Sequence, residues 1–384
     1  MAYSFLAPRE IISGSGALEN AAKKFSSFGK KALIVTDSKM VKLGNAAVLE
    51  DACRKNNIDY VIYDGINSEP NNLMIMDGLK AYKDNGCDFL IALGGGSPID
   101  SAKAIGMMSV SDCPIASYMG KLIDVKMPGL VAIPTTAGTG SEVTKFTIIN
   151  DTSTKVKMLL TGACLIPAMA VVDPKFTMTA PKSVTSHTGI DALCHAVESY
   201  TSRKAQPLSE TFSLSAIKRI FGNLETCYND PSNEQARIQM SLAATEAGLA
   251  FTNASVTIVH GMSRPIGALF HVPHGLSNAI LLEECMNFAV DGAYDKFAQI
   301  ARSLGFAGNE DDDVKAAHAF LEQLSGLLHR LHVPSMSELE IDKETYFASI
   351  EKMAHDAYLS GSPSNTIKNV TEEDMIALYK KIYR

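Results

Sequence analysis

The chain has 384 residues, of which 46% are hydrophobic and 20% are charged, and its formal net charge is −7. This length is enough for two domains with large cores, while the negative charge and the lack of a lysine- and arginine-rich cluster argue against a nucleic-acid partner. Without a signal-peptide pattern, an apolar run as long as the ~18 residues of a membrane span, or paired cysteine spacing, the sequence predicts a cytoplasmic protein with no membrane partner.

Strands and helices alternate in the first part of the chain. The N-terminal residues form a predicted extended arm, in which Pro8 favours an edge position, and Ala17–Phe28 follows as a short helix. Strands are predicted at Lys31–Ser38, Asp59–Tyr63, Asp88–Leu93 and Gly129–Thr136, with helices at Leu43–Asn56, at Leu73–Asn85 and from Pro98 onward. This alternation predicts a parallel sheet with helices on both faces.

The sequence pattern changes after about Ser183. Residues 144–172 still have the pattern of a β-hairpin, but apolar residues then recur at helical spacing. The helical stretches are Gly189–Ser199, Leu208–Leu224, Asn233–Phe251, Ala293–Leu304, Asp312–Leu331, Thr345–Ala354 and Glu372–Ile382. We therefore predict an α/β domain over residues 1–182 and an all-α domain over residues 183–384.

Two loops rich in small residues follow strands of the predicted sheet. One is Gly94–Asp100, with the sequence G-G-G-S-P-I-D, and the other is Pro134–Glu142. Glycines let the backbone approach a pyrophosphate, and the N-terminus of the following helix offers free N–H groups to it. Because ligands of open parallel sheets bind beyond the carboxyl ends of the strands, the loops indicate a dinucleotide site. A tight turn between strand and helix is the alternative explanation of the glycines.

Asp37 lies at the end of the first core strand of the predicted sheet. A carboxylate at this point suits the ribose diol of NAD and would repel the 2′-phosphate of NADP, so the residue predicts a preference for NAD. An aspartate that only begins a turn after the strand is the simpler alternative.

One carboxylate and three imidazoles are spread over the predicted helical domain. Asp191 and His195 are four residues apart and therefore share one face of a helix. His260 ends an apolar helical run, and His274 follows a proline. Such a set of side chains suits a divalent transition metal, so we hypothesise that these four residues bind one metal ion. Ordinary core histidines are the alternative.

The segments Gly189–Tyr200 and His260–Gly275 resemble the metal-binding segments of the iron-containing (group III) alcohol dehydrogenases, and the two small-residue loops resemble the cofactor loops of that family. The resemblance covers nearly the whole chain. It implies a Rossmann-like domain followed by an all-α domain, as in the dehydroquinate synthase-like fold, and hydride transfer between NAD(H) and a primary alcohol or aldehyde. It also implies a homodimer through the N-terminal arm and Fe(II) as the metal, although Zn(II) or Mn(II) suits the same ligands.

The resemblance also implies roles for individual residues. Together with Asp37, the cofactor-binding residues would be Asn71, Gly94, Gly95, Gly96, Ser97, Asp100, Thr135, Thr136, Thr139, Ser141 and Lys157. Phe146, Phe251 and Tyr358 would line the substrate pocket, whereas without the resemblance each is interpreted as a core residue. Glu198 is interpreted as part of a solvated helix face, with contact to a metal ligand as the alternative.

Arg264 departs from the pattern of the family. Many members have a histidine there that is assigned to a proton relay, whereas an arginine stays protonated and cannot act as a base. The relay is then absent, or His271 or a ribose hydroxyl with water replaces it. The guanidinium could instead bind an anionic group of the substrate, as in sulfoacetaldehyde or a semialdehyde acid. Pairing with a protein carboxylate or with the cofactor pyrophosphate is the alternative.

The same two-domain plan serves functions of other classes. Dehydroquinate synthases use zinc with a different ligand set, so a non-redox lyase that uses NAD and a metal is an alternative. The full Asp-His-His-His pattern argues against it. A metal- and nucleotide-binding protein without catalysis is the third possibility.

Overall fold

The structure is a computed structural model that describes residues 2–383. Contacts between residues divide the chain into two compact units. One unit comprises Leu6–Ala180, and the other comprises the chain from Pro181 onward together with the residues up to Phe5.

The first unit is an α/β domain. Its strands are β1 (Glu10–Ser13), β2 (Lys31–Val35), β3 (Asp59–Tyr63), β4 (Phe89–Gly94), β5 (Leu130–Pro134), β6 (Phe146–Asp151), β7 (Val156–Thr161) and β8 (Met169–Val172). Its helices are α1 (Ala17–Ala22), α2 (Ser38–Lys42), α3 (Asn45–Lys55), α4 (Asn72–Asp84) and α5 (Gly96–Ser109). Six of the described strands form a parallel sheet in the order β1-β8-β5-β4-β2-β3, while β6 and β7 form an antiparallel hairpin. The predicted parallel sheet is confirmed.

The central strands are buried on both faces because successive side chains of a strand point to opposite sides. In β2, Ala32 and Ile34 belong to the hydrophobic cluster that includes α1 and α3. Leu33 and Val35 belong to the cluster on the other face, which includes α4 and α5. This packing explains why the strands are continuous apolar runs rather than alternating ones.

Two predicted helices of this unit are shorter than expected. The predicted helix Ala17–Phe28 is observed as α1, which ends at Ala22, followed by a single 3-10 turn. The predicted helix Leu43–Asn56 begins instead at Asn45, because Gly44 adopts a left-handed conformation (φ 83°) that separates α2 from α3.

The second unit is helical. Its helices are α6 (Lys182–Tyr200), α7 (Pro207–Asn229), α8 (Glu234–Ala254), α9 (Ile258–Phe270), α10 (His274–Ala289), α11 (Tyr294–Leu304), α12 (Asp313–Arg330), α13 (Lys343–Leu359) and α14 (Glu372–Ile382). The packing of α7, α8 and α10 against α6 buries every residue from Gly189 to Tyr200. The predicted helical character of this part of the chain is confirmed.

A break between α8 and α9 decides the position of His260. α8 ends at Ala254, Ser255 has a φ of 65°, and α9 begins at Ile258. The two helices are bent by 103° at this break, and only jointly do they have the length and hydropathy of a membrane span; no single helix within residues 2–383 does. His260 therefore lies in the first turn of α9, and the prediction that it ends a helical run is wrong.

Candidate functional site

The four predicted metal ligands lie together in the helical unit. Asp191 and His195 lie one turn apart on α6, and His274 is the first residue of α10. Oδ1 of Asp191 lies 3.5 Å from Nε2 of His260 and 3.7 Å from Nε2 of His274. The rings of His195 and His260 are stacked, with their centroids 4.4 Å apart. Three helices thus bring one carboxylate and three imidazoles to one place.

The distances fit ligands of a single cation. Two ligand atoms that each lie ~2.1 Å from a tetrahedral ion are ~3.4 Å apart, which is close to the separations around Asp191. Asp191, His195 and His260 are nearly fully buried, and each offers a ligand atom within 4.8 Å of the other two. The side chain of His274 is 35% exposed, so the cluster can be reached from the side of this residue.

Glu198 holds the imidazole of His260 in place through its Nδ1 atom. It is fully buried, so the prediction that it lies on a solvated helix face is wrong. Its Oε1 accepts hydrogen bonds from Thr257 and from the backbone N–H of Val259, and its Oε2 lies 2.5 Å from Nδ1 of His260. Because Nδ1 faces this carboxylate, Nε2 of His260 faces the other predicted ligands, which is the usual arrangement of a metal-binding histidine.

Burial and charge act in opposite directions on the ionisable groups of the cluster. Burial by itself would raise the pKa of Asp191, but His195, His274 and His260 hold it well below its usual range. Burial by itself would lower the pKa of His260, but Glu198 and Asp191 raise it to about 9. The two carboxylates that flank His260 thus together outweigh the effect of burial on its pKa.

The residues predicted to line the substrate pocket, and His271, are placed differently from one another. The ring of Phe251 stacks on His195, with centroids 4.2 Å apart. Tyr358 lies on α13 with 52% of its surface exposed, and Phe146 begins β6 of the first unit. His271 is exposed and ends α9 in a left-handed conformation (φ 55°). Phe251 is thus in direct ring contact with a predicted metal ligand.

Arg264 lies one turn after His260 on α9 and is half-buried. Within residues 2–383 its guanidinium makes no hydrogen bond and no ion pair, so the alternative of pairing with a protein carboxylate is not found there. Burial lowers the pKa of Arg264, and the charge of Glu198 opposes this effect. A partly buried guanidinium with no hydrogen-bonded acceptor is suited to bind an anion from solution.

The two small-residue loops of the α/β unit pack directly against each other. A Cβ atom at Gly96 would lie 3.1 Å from Cγ2 of Thr139, and one at Gly94 would lie 2.3 Å from Cγ of Pro98. The hydroxyl of Thr136 is buried and, in the described part of the chain, has no hydrogen-bond partner. A side chain at Gly96 would crowd the second loop, whereas one at Gly94 would overlap Pro98 of its own loop. The unsatisfied hydroxyl beside the N-terminus of α5 fits a polar ligand.

A buried lysine that no sequence pattern indicates connects these loops to the hairpin. Nζ of Lys103 donates to the carbonyl oxygen of Thr144 (2.9 Å), to that of Phe146 (2.8 Å) and to the hydroxyl of Ser141 (3.2 Å). Asp100 accepts from the same hydroxyl at 2.5 Å and from the backbone N–H of Ile148. Asp100 and Ser141, which were predicted to bind the cofactor, are therefore engaged in holding the second loop to α5.

The remaining predicted cofactor residues lie at helix and strand positions with local contacts. Asp37 caps α2, with Oδ1 accepting from the backbone N–H groups of Lys39 and Met40. Asn71 caps α4 in the same way. Lys157 of β7 forms an ion pair with Glu69 at 2.8 Å. These contacts agree with the simpler interpretation of Asp37 as the start of a turn, and they leave its Oδ2 outside the cap.

Comparisons with known proteins extend over both units. Family models described as "iron-containing alcohol dehydrogenase" and "Fe-containing alcohol dehydrogenase family, C-terminal" match residues 8–174 and 185–383. The chain is 31% identical to 1,3-propanediol dehydrogenase of Citrobacter freundii over 386 residues, which covers 99% of each chain. It is also 31% identical to a 1,3-propanediol oxidoreductase of known crystal structure, with full coverage of both chains and a TM-score of 0.96. Sulfoacetaldehyde reductase from Bifidobacterium kashiwanohense, solved in complex with NAD+, is 26% identical, with coverage of 100% and 99% and a TM-score of 0.89.

Proposed function

Because the chain belongs to the iron-containing alcohol dehydrogenases, we propose that it transfers a hydride between NAD(H) and a short-chain primary alcohol or aldehyde. The observation that carries this proposal is the convergence of three imidazoles on the buried carboxylate of Asp191. A relative that acts on 1,3-propanediol supports a small alcohol as the substrate.

The proposed metal is Fe(II), held by Asp191, His195, His260 and His274. Zn(II) and Mn(II) suit the same ligands. When bound, the ion supplies a Lewis acid that polarises the substrate oxygen. Glu198 keeps Nε2 of His260 directed at the cluster, and Phe251 lies flat on the ring of His195 and so restricts its rotation. The protein side chains thus fix the ligands before the ion arrives.

The proposed cofactor is NAD(H), bound by Gly94–Ser97 and Thr135–Ser141, with Asn71 and Lys157 also along it. The N-terminus of α5 would offer its free N–H groups to the pyrophosphate, and the buried hydroxyl of Thr136 would find its missing partner there. The cap of α2 uses only Oδ1 of Asp37, which supports a role for Oδ2 at the ribose diol and a preference for NAD over NADP.

We also propose a cytoplasmic homodimer. β1 lies at one edge of the sheet, where backbone groups of a strand can pair with another chain. The cysteines are free thiols, in keeping with a reducing compartment. Sedimentation equilibrium of the intact protein and of a variant with proline in β1 tests the dimer, because the proline removes a backbone donor from that edge.

The activity is tested with metal-free protein that is reloaded anaerobically with Fe(II), Zn(II) or Mn(II). We expect NADH oxidation, followed at 340 nm, with propanal and 3-hydroxypropanal, in at least the Fe(II)-loaded protein and not in the metal-free protein. NADPH should be a poorer cofactor. Tightly held NAD without net turnover of NADH would support the lyase instead, and binding of NAD and metal without any product would support a non-catalytic protein.

A second candidate, reduction of an aldehyde that carries an anionic group, is favoured by Arg264. Its guanidinium is half-buried, makes no hydrogen bond or ion pair within residues 2–383, and lies one turn from His260. A carboxylate, sulfonate or phosphate on the substrate would satisfy it through charge-assisted hydrogen bonds. The relative that reduces sulfoacetaldehyde supports this substrate class.

For Arg264→Ala, we expect kcat/KM to fall by about 10-fold to 100-fold for sulfoacetaldehyde and succinic semialdehyde, and by much less for propanal. A hydrogen bond between charged groups contributes ~1.5–3 kcal/mol, which sets this range. Arg264→Lys keeps the charge but loses the planar guanidinium group. Its kcat/KM for the anionic aldehydes should lie between that of the wild type and that of Arg264→Ala. Equal losses on anionic and neutral aldehydes would rule out the anion-binding role.

A further inference from the structure

Asn278 places its side-chain amide among the predicted metal ligands. It lies on α10, one turn after His274, and is fully buried. Its Nδ2 is 2.6 Å from Oδ1 of Asp191, 3.1 Å from Nε2 of His260 and 3.2 Å from Nε2 of His274. One amide nitrogen therefore faces three of the atoms that would bind the cation.

The orientation of the amide follows from the chemistry of its neighbours. An oxygen in the place of Nδ2 would lie 2.6 Å from a carboxylate oxygen, and two acceptors at that distance repel each other. The opposite atom, Oδ1 of Asn278, is buried and without a hydrogen-bond partner in the part of the chain that the structure describes. A buried acceptor without a partner is unfavourable, so the contacts made by the two amide hydrogens outweigh it.

We propose that the amide of Asn278 stands in for the metal in the metal-free protein. Its two hydrogens go to Oδ1 of Asp191 and to Nε2 of His274, the acceptors that a cation would otherwise occupy. The imidazole Nε2 has one lone pair, which cannot accept a hydrogen and bind a metal at the same time. Asn278 therefore keeps the ligands converged before loading, and it competes with the metal that replaces it. This inference rests on the proposed metal site.

Two consequences distinguish this stand-in role from that of a residue that only supports the bound metal. A variant without the amide takes one hydrogen bond away from the buried carboxylate of Asp191, so the metal-free protein becomes less stable. Because the amide no longer competes, the same variant binds the metal more tightly. A side chain that supports the bound metal would give weaker binding when it is removed, as is usual for groups that orient ligands.

The test measures Fe(II) affinity by anaerobic competition with a chelator, and the melting temperature with and without Fe(II). For Asn278→Ala, we expect a Kd about 10-fold lower than that of the wild type and a lower melting temperature of the metal-free protein, with little change in the Fe(II)-loaded protein. Asn278→Ser retains one hydrogen-bond donor, so its Kd and melting temperature should lie between those of the wild type and Asn278→Ala. It serves as the test variant if the alanine variant does not fold without metal.

The matched control is Asn45→Ala, which removes a buried asparagine of the α/β unit whose amide contacts Thr179. It should lower both melting temperatures equally and leave the Kd unchanged. An unchanged or higher Kd in Asn278→Ala, or in Asn278→Ser if the former does not fold, would overturn the stand-in role while leaving the proposed function intact. A wild-type protein that binds no Fe(II) would overturn both.

Discussion

Asp191→Asn is expected to abolish metal binding and to lower kcat/KM by ~10³-fold or more, because a Lewis acid contributes several kcal/mol to such a reaction. Asparagine keeps the size of the side chain and an oxygen that can accept from the amide of Asn278. It removes the one anionic member of the predicted ligand set, whose charge also balances the surrounding histidines. The variant should therefore stay folded while it loses the ion.

Elemental analysis of anaerobically purified protein, together with NADH oxidation at 340 nm, measures both effects. Asp173→Asn is the matched control, because Asp173 is a buried carboxylate of the α/β unit that accepts from the backbone N–H groups of Leu18 and Lys175. It should lower stability but retain the iron content of the wild type. Wild-type iron content in Asp191→Asn would contradict the assignment of this residue as a ligand.

The sequence predicted those features that local spacing encodes. The strands of the α/β unit are continuous apolar runs, and Asp191 and His195 are separated by one helical turn, so both could be recognised without a structure. The set of four ligands was a hypothesis from residue types that the family resemblance supports, because nothing in the local sequence around His260 or His274 shows that α9 and α10 begin beside α6.

Periodicity failed where a helix is buried on almost every side. α6 has no solvated face between Gly189 and Tyr200, so the prediction that Glu198 lies on such a face is wrong. α9 contains Pro265 and was not predicted as a separate helix, which misplaced His260. Asn278 lies four residues after His274 on α10, and this helical spacing is the local signal in the sequence that it lies beside the cluster.

Partners that are distant in sequence could not be predicted. Lys103 looks like a surface residue of a helix, yet it is fully buried among oxygens of Ser141, Thr144 and Phe146, about 40 residues away. For the same reason, the sequence could not show whether Arg264 pairs with a protein carboxylate. It depends on every side chain that could reach the guanidinium, and only the folded chain shows which ones do.

Lys103→Met is expected to lower the free energy of unfolding by about 3 kcal/mol and to weaken NADH binding at least several-fold. The substitution keeps an unbranched chain of similar length but leaves the carbonyl oxygens of Thr144 and Phe146 without their donor. It also removes the positive charge that opposes the effect of burial on the pKa of Asp100. Since these contacts hold the loop after β5 against α5, the cofactor loops should lose their fixed geometry.

Urea denaturation and NADH fluorescence titration measure the two effects of Lys103→Met, and Lys80→Met, at an exposed lysine, should change neither. The dependence on pH adds an independent check. Burial lowers the pKa of Lys103 from 10.5 to about 8, with Asp100 and Glu142 opposing the shift. Between these values the unfolded chain binds more protons than the folded one, so the contribution of Lys103 to stability rises with pH. The difference in stability between wild type and Lys103→Met should therefore widen from pH 8 to pH 10; a constant difference would mean that Lys103 is not buried as a titrating amine.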